Sequence, residues 1–389
     1  MGRVYKSLGE LGRIITGKTP KTDIADYWGG HVPFITPTDI NGYDSFFQGE
    51  TERYISAEGV KKQKATLLPP KSVCFSCIAS IGKSCLTRVC SITNQQINSI
   101  IPNKENDYRY LLYLLRYNLP YIQMVGGGSG SGTPIISKNK FAKFKFLVEG
   151  NLEAQHRIAS ILSTYDSLIE NNTKRIRLLE KMAENLYKEW FVRFRFPGHE
   201  NVEMENGLPK GWKRGSLSDV CEFKRGKNIT SSEMQEGNVP VISAGLEPSG
   251  YHSCSNVRGV NVTMSSSGAN AGYIAIHYSD IWAADCSYIE ESTTGNIYYV
   301  YELLNNIRTV INNFQRGAAQ PHVYPKDVNR IKLILPSKEL MLKANGRLEI
   351  MHKEIYNLQK QNSLLARQRD LLLPRLMSGK LEVKEELLE

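Results

Sequence analysis

Eight residues near the start of the chain match a nucleotide-binding pattern. Residues 12–19 read GRIITGKT, which fits the P-loop spacing at every fixed position. A P-loop lies between a buried strand and a helix, because the helix N-terminus holds the phosphate groups. Here Pro20 follows at once, and Gly29-Gly30 interrupts the stretch before a long helix could form. The pattern therefore favours a turn that carries basic groups toward DNA over a nucleotide site.

A tetrapeptide in the first half has the letters of an adenine-methyltransferase motif. Residues 118–121 read NLPY, a sequence that holds a flipped base in such enzymes. Those enzymes also need a glycine-rich cofactor loop after an early strand, and the sequence before Asn118 has none. We interpret the tetrapeptide as the end of a helix.

Four cysteines in the first half have spacings that could bind zinc: Cys74, Cys77, Cys85 and Cys90. Residues 74–78, however, alternate as a strand does, which puts Cys74 and Cys77 on opposite faces. Buried, apolar cysteines are the better interpretation. The seven histidines are scattered without metal-ligand spacing, and no Ser/His/Asp set can be assembled from the sequence. We therefore predict no metal, no cofactor and no catalytic residues for this chain.

Two loops at matching places in the two halves have a composition that suits DNA. Residues 126–132 are glycine and serine, and residues 315–320 read QRGAAQ. Arginine pairs with guanine and glutamine with adenine in the major groove. An ordinary surface loop is the competing interpretation. The residues that we predict to bind DNA are polar or basic and lie in such turns: Lys18, Lys21, Lys83, Arg88, Lys227, Asn270, Gln315, Arg316, Gln320 and His322.

The charge of the chain suits a polyanionic partner. Lys and Arg number 49 against 39 Asp and Glu, a net charge of +10. Residues 1–150 alone have 19 basic and 11 acidic groups. No apolar run approaches the roughly 18 residues that span a membrane. There is no secretory signal, and seven cysteines, an odd number, argue against a disulfide framework, so we expect a cytoplasmic protein.

A weak internal repeat arranges these motifs in two halves. Gly17-Lys18 returns as Gly226-Lys227, and the VPFI of residues 32–35 returns as VPVI in residues 239–242. Short alternating runs, such as residues 73–78 and 260–264, predict strands that are separated by Gly, Ser and Pro turns. Each half therefore begins with a strand-rich globule.

Each half then ends in a long helix. From Ile158 to Trp190 apolar residues recur at steps of three and four, a coiled-coil seam of more than four heptads. No Pro or Gly interrupts residues 151–196, which predicts a helix roughly 65 Å long. A second seam runs from Leu348 to Leu376, where Pro374 is expected to kink the helix late.

Both seams include an asparagine at the same relative place. Asn172 and Asn362 are 190 residues apart, the offset that also separates Arg157 from Arg347. A buried Asn in such a seam fixes the register of the helices at a cost in stability. We predict that the two amides lie near the helix midpoints and hydrogen-bond to each other. The alternative, that both are solvated, is equally open.

Together these elements predict an α+β chain with a pseudo-twofold internal repeat. Two strand-rich domains are separated by two long antiparallel helices that form a coiled coil. The first domain is assigned to residues 1–150 and the first helix to residues 151–196. The second domain, with a Gly/Pro-bearing linker at residues 197–209, takes residues 197–336. The second helix and the tail take residues 337–389.

The start of the first helix is the most specific part of a resemblance to a known family. Residues 152–159 read LEAQHRIA and, with the seam that follows, are similar to the central conserved region of type I restriction–modification specificity subunits, the HsdS family. Residues 17–20, GKTP, resemble the start of that family's first recognition domain. Residues 373–381, LPRLMSGKL, resemble its common ending. The resemblance covers nearly the whole chain.

That resemblance implies a non-catalytic, DNA-recognising subunit. Two target-recognition domains would each read one part of a split site in double-stranded DNA. The helices would act as a spacer that docks two methyltransferase subunits, and motor–nuclease subunits would join these. S-adenosylmethionine and ATP would belong to the partners. The second helix opens with residues 341–346, MLKANG, without the Glu and Gln of the first, so the two docking surfaces are expected to differ.

Two other classes of function stay open at this point. A nucleotide- or S-adenosylmethionine-dependent DNA enzyme would need residues 12–19 or 118–121 to form its cofactor site. A helical scaffold without a DNA role would show no salt-sensitive DNA binding.

Overall fold

The computed structural model describes residues 2–40, 46–47, 49–126, 133–317 and 321–383. The chain divides into two compact units. Unit 1 comprises residues 1–172 and 361–389, and unit 2 comprises residues 173–360. Two long helices contribute residues to both units.

Unit 1 begins with a strand-rich globule. Its strands are β1 Val4–Ser7, β2 Gly12–Thr16, β3 Trp28–Ile35, β4 Arg53–Ile55, β5 Val73–Ser76, β6 Ser84–Leu86, β7 Ile92–Thr93, β8 Ile97–Pro102 and β9 Lys145–Val148. Its helices are α1 Leu8–Leu11, α2 Ala57–Lys62, α3 Tyr108–Tyr117, α4 Leu119–Gly126 and α5 Lys138–Lys143, followed by the long helix α6 Leu152–Tyr187.

The strands of unit 1 form three small sheets. An antiparallel sheet has the order β2-β8-β5-β6, a mixed sheet has the order β4-β3-β7, and β1 pairs with β9. The mixed sheet contains a parallel pair, because Phe34 lies opposite Ile92. The apolar faces pack around α3, where Tyr110 and Tyr113 are fully buried.

Unit 2 repeats this arrangement. Its strands are β10 Met204–Glu205, β11 Leu208–Pro209, β12 Lys213–Ser216, β13 Lys224–Arg225, β14 Val239–Ile242, β15 Gly250–His252, β16 Asn261–Ser265, β17 Ile274–His277, β18 Trp282–Ala283, β19 Cys286–Glu290 and β20 Lys332–Leu335. Its helices are α7 Glu291–Thr294, α8 Ile297–Asn306, α9 Arg308–Asn312 and α10 Pro325–Val328, and the second long helix is α11 Lys338–Ser378.

The sheet topology confirms the internal repeat. The orders β13-β19-β16-β17, β15-β14-β18 and β12-β20 match those of unit 1 strand for strand. The parallel pair also recurs, with Val241 opposite Trp282. The segment predicted as a linker, residues 197–209, holds a 3₁₀ turn and the β10–β11 hairpin.

The two long helices follow the predicted seams. The first helix continues past Tyr187 as a π-helical turn over Lys188–Val192, and Pro374 lies inside α11. Seam residues such as Leu162, Leu348 and Ile355 are at most 1% exposed. Within unit 1, Asp166 and Asn172 contact Arg369 and Gln361. Since the numbering rises along α6 as it falls along α11, the helices are antiparallel there.

Candidate nucleic-acid interface

Three turns meet at one end of the four-stranded sheet in each unit. In unit 1 they follow β2, join β5 to β6, and join β7 to β8, and the register places Thr16 opposite Asn98 and Ser76 opposite Ile97. We call residues 17–21, 77–83 and 94–96 the first turn cluster. The second turn cluster comprises residues 226–227, 266–273 and 284–285, together with residues 315–317 and 321–322 of a fourth segment.

The glycine of each Gly-Lys pair packs closely against the backbone of a neighbouring turn. Gly17 N donates to Ile97 O at 3.1 Å, and Gly226 N donates to Cys286 O at 2.8 Å. A Cβ on Gly17 would lie 2.2 Å from Asn94 O, and one on Gly226 would lie 2.4 Å from Ala284 O. Only glycine fits so close to another backbone. The exposed lysines that follow, Lys18 and Lys227, are thereby fixed at the edge of each cluster.

This geometry overturns the nucleotide-site interpretation of residues 12–19. Gly12–Thr16 is strand β2 itself, paired with β8, and residues 17–24 after it are not helical. Asn118 likewise lies between α3 and α4, where its side chain donates to Leu114 O at 2.8 Å, and residues 119–121 begin α4. Cys74, Cys77 and Cys85 are buried, as predicted, whereas Cys90 is exposed.

The turn between the third and fourth strands of each antiparallel sheet contains a left-handed residue. Ala79 has φ of +59° and Gly268 has φ of +74°. Ala79 N donates to Pro134 O at 3.1 Å, and Gly268 N donates to Pro321 O at 3.0 Å. The two residues are therefore structural equivalents, and Asn270 belongs to the 3₁₀ turn that starts at Gly268.

The second turn cluster brings together five of the predicted DNA-binding residues. Gln315 Nε2 donates to Ala271 O at 2.8 Å, beside Asn270. Arg316 and His322 exchange backbone hydrogen bonds of 2.9 and 2.8 Å. The Arg316 guanidinium is 63% exposed and pairs with Asp327 at 3.1 Å. Lys227 belongs to the same turn cluster, and Gln320 lies outside the described residues.

In unit 1 the predicted residues separate into two groups. Lys18 and Lys21 are exposed in the first turn cluster. Lys83 Nζ donates to Pro37 O at 3.0 Å and to Ile40 O at 3.3 Å, so two carbonyls hold its ammonium group. Arg88 lies away from the cluster, where it pairs with Glu170 of α6 and covers the ring of Phe47. DNA contacts by all four residues stay predictions; residues 127–132 lie outside the described ranges.

The seam asparagine of α6 is buried. Asn172 is 7% exposed, and its Nδ2 donates to Gln361 Oε1 at 3.4 Å. Gln361 immediately precedes Asn362, so the contact falls one residue from the expected partner. The hydrogen bond between Asn172 and Asn362 stays a prediction.

A buried carboxylate joins α3 to both long helices in unit 1. Asp166 accepts hydrogen bonds from Tyr113 Oη and Arg369 Nη1, each at 2.5 Å, and contacts Arg116 Nη1 at 3.3 Å. Burial, with the charge of Asp166, raises the pKa of Tyr113 well above its usual value, so the phenol keeps its proton and donates. Unit 2 holds α8 differently: His352 of α11 contacts Tyr278 Oη at 2.9 Å and Glu302 at 3.3 Å.

The glutamine of the LEAQHR segment closes a helix N-terminus. Gln155 is 1% exposed; its Oε1 accepts from Asp107 N at 2.9 Å, and its Nε2 donates to Glu149 O at 2.7 Å. In unit 2, Asn345 Oδ1 accepts from Tyr298 N and Tyr299 N at 3.1 and 3.2 Å. The missing Gln of α11 is thus replaced by Asn345, and both side-chain amides hydrogen-bond to backbone groups.

A surface cluster surrounds the cap of α3. Asp107 accepts hydrogen bonds from Arg109 N and Tyr110 N, and its Oδ2 lies 2.5 Å from His156 Nδ1. Burial alone would raise the pKa of Asp107, but the hydrogen bonds from Arg109 and the backbone outweigh it and leave the pKa below its usual value.

Neither a metal site nor a membrane-spanning helix is found among the described residues. No group of three or more His, Cys, Asp or Glu side chains there could hold a metal ion. No helix in the same ranges is long and apolar enough to cross a membrane.

The comparisons with known proteins agree on one family. The model of a family described as type I restriction modification DNA specificity domain matches residues 3–181 and 209–362. The MjaIX specificity subunit of Methanocaldococcus jannaschii is 28% identical over 98% of this chain and 94% of its own. The HindI specificity subunit of Haemophilus influenzae is 32% identical over 46% of this chain and 39% of its own.

A solved structure shares the fold. The crystal structure of a type I restriction–modification S subunit from M. genitalium has a TM-score of 0.64 to this chain. It is 19% identical, over 97% of this chain and 96% of its own.

Proposed function

This chain belongs to the type I restriction–modification DNA specificity family, and from that membership we propose that it reads a split DNA target, one half-site for each globule. It is a DNA-recognition subunit and not itself an enzyme. The alternative of a cofactor-dependent DNA enzyme has no support, because its two candidate cofactor segments form a strand and a helix junction.

The observation that carries the proposal is the duplicated turn cluster. Each copy places an exposed lysine, Lys18 or Lys227, beside turns that are fixed by backbone hydrogen bonds. Lysine contacts to phosphate position a protein on DNA, whereas amide, carboxylate and guanidinium groups distinguish bases. Two copies of such a surface in one chain suit a target with two separate parts.

The long helices are proposed to dock two methyltransferase subunits, which motor–nuclease subunits join. Large apolar side chains on α6 and α11 are exposed to solvent. In unit 2, Leu178 and Met182 are 62% and 53% exposed and lie one turn apart. In unit 1, Leu364 and Leu371 are 58% and 60% exposed and lie two turns apart. Exposed apolar stripes of this kind are typical of protein interfaces.

The decisive experiment maps methylated adenines in the host genome with and without this gene. We expect a two-part motif that disappears with the gene. Replacement of residues 1–150 by those of another family member should change one part of the motif only. A change in both parts would contradict the assignment of one half-site to each globule.

The lysines are tested by salt dependence in the assembled enzyme. Lys18→Ala and Lys227→Ala should each reduce the slope of log affinity against log salt by about one, because one phosphate contact is lost. Lys104→Ala is the matched control, since Lys104 is exposed at the opposite end of β8. Equal slopes for Lys18→Ala and Lys104→Ala would remove Lys18 from the DNA surface.

A further inference from the structure

The third turn of each cluster contains a different polar residue. In unit 1 the turn from β7 to β8 contains Gln95, and in unit 2 the equivalent turn from β18 to β19 contains Asp285. The two turns are equivalent because Gly17 packs on the first and Gly226 on the second. Sequence reasoning did not single out either residue, because the Gly-Lys pairs approach them from far along the chain.

Gln95 is held in place by its neighbours. Thr19 Oγ1 donates to Gln95 Oε1 at 2.7 Å, so the turn after Lys18 orients the amide. The base of the turn is fixed, since Cys77 N donates to Gln96 O at 2.7 Å. The Gln95 side chain is exposed. Its Nε2 keeps two donors, and its Oε1 has a second lone pair, which together match the N7 and N6 edge of adenine.

Asp285 lies in the equivalent turn of unit 2, which is one residue shorter, and it has the opposite hydrogen-bonding character. Ser267 Oγ donates to Asp285 Oδ2 at 2.6 Å, which ties the carboxylate to the turn that contains Gly268. Lys227 N donates to Ala283 O at 2.9 Å, so the basic residue and the acid share one turn cluster. A carboxylate only accepts hydrogen bonds, and its charge opposes phosphate. Such a group suits DNA where a base amino group donates to it, as cytosine N4 does.

We propose that Gln95 and Asp285 are specificity-determining residues, Gln95 for an adenine in one half-site and Asp285 for a cytosine in the other. The inference rests on the proposed function and deepens it, because it names the base that each turn recognises. The two globules then share one scaffold and differ in the hydrogen-bonding pattern that they present to the major groove.

The test is to map methylation motifs for the enzyme assembled on Gln95→Ala and Asp285→Asn. Gln95→Ala should relax one adenine position in the half-site that changes when residues 1–150 are exchanged. The expected loss of discrimination is roughly ten- to a hundredfold. Asp285→Asn should shift one position of the other half-site from cytosine toward adenine, since asparagine matches the adenine edge. Glu105→Gln, at the far end of β8, is the control and should leave the motif unchanged.

The outcomes distinguish a failure of this inference from a failure of the proposed function on which it rests. If the unchanged enzyme gives no two-part motif, the proposed function fails. If it gives one but the variants give the same motif with the same stringency, the base readers lie elsewhere. A first half-site without an A·T pair, or a second without a G·C pair, would overturn the corresponding assignment directly. The near-isosteric Asp285→Asn change keeps the fold, and a thermal melt of each variant confirms that it does.

Discussion

The two units hold equivalent helices with different chemistry. In unit 1, α3 is fixed to the long helices by Asp166, whose neighbours include two guanidinium groups that stay charged at every pH of interest. In unit 2, α8 is fixed by Glu302 through the imidazole of His352. One fold therefore tolerates two guanidinium groups around the clamp of one helix and an imidazole in the clamp of its equivalent. The difference predicts that the two units respond differently to substitution.

The largest effect is expected from removal of a buried charge in unit 1. Arg369→Met takes one permanent cation from Asp166, which is 3% exposed, and should cost about 3–5 kcal/mol. His352→Leu should cost less, about 1–3 kcal/mol, because it removes a hydrogen-bonding partner and no permanent charge. Hydrogen exchange of α3 and α8 measures the two effects separately. A greater loss of protection in α8 than in α3 would reverse the comparison.

Acid should destabilise unit 2 before unit 1. Burial lowers the pKa of His277 to about 4. Below about pH 6.5 His277 binds a proton in the unfolded chain but stays neutral in the folded protein. The free energy of unfolding therefore falls between roughly pH 6.5 and 4. The loss is at most about 3 kcal/mol and is reduced by the partial exposure of the ring. His277→Gln should abolish this loss, and His199→Gln, in the 3₁₀ turn His199–Asn201, should not.

Unit 1 should lose stability with the same sign but in a lower pH window. The pKa of Asp107 is depressed when folded, so its contribution is present above the unfolded value of about 3.9 and is lost as the pH falls below it. Unfolding followed at pH 7, 5 and 3.5 should therefore show unit 2 weakening first. Simultaneous weakening of both units at pH 5 would contradict the assignment.

A smaller effect is expected at the two amides that close helix N-termini. Gln155→Leu and Asn345→Leu each leave buried backbone N–H groups without acceptors, at a cost of about 1–3 kcal/mol. Asn345→Leu should be the more severe for its own helix, because Asn345 accepts from two N–H groups of α8. At α3 the Asp107 side chain remains as a cap when Gln155 is lost. The amide hydrogen-exchange rates of Tyr299 and Tyr110 measure this difference between α8 and α3.

The smallest effect distinguishes the two left-handed turns. Ala79→Gly should stabilise unit 1 by up to about 1 kcal/mol, because a Cβ is unfavourable at positive φ. Gly268→Ala should destabilise unit 2 by about 1 kcal/mol for the same reason. Nothing lies within 4 Å of a Cβ built on Gly268, so the backbone alone is responsible. Thermal unfolding of the two variants should shift in opposite directions.

Local patterns predicted the long helices and the repeated strands. The seam from Ile158 to Trp190 needs only the spacing of apolar residues, and the helix Leu152–Tyr187 with its π-helical turn lies within the predicted residues 151–196. The strand expected at residues 73–78 is β5, Val73–Ser76. Such features are specified by neighbours along the chain, which a single sequence displays.

Contacts between distant residues could not be predicted in this way. The place of Lys83 in a turn does not reveal that its ammonium contacts Pro37 O, 46 residues away. Arg88 pairs with Glu170 across 82 residues. The letters of residues 12–19 match a P-loop, but Gly17 is required by the backbone of Asn94. A spacing pattern does not contain these distances, so the turn clusters became visible only in three dimensions.

The division of the chain has a consequence for its biosynthesis. Unit 2 is the continuous stretch 173–360, whereas unit 1 needs residues 361–383 as well as the N-terminal globule. Leu376 and Met377, each 1% exposed, belong to the core of unit 1. Because the ribosome delivers the N-terminus first, the globule that emerges earliest must wait for the last helix before its core is closed. A stop codon shortly after residue 360 would therefore leave unit 2 complete, although it is synthesised second. Unit 1, which is synthesised first, would lack part of its core.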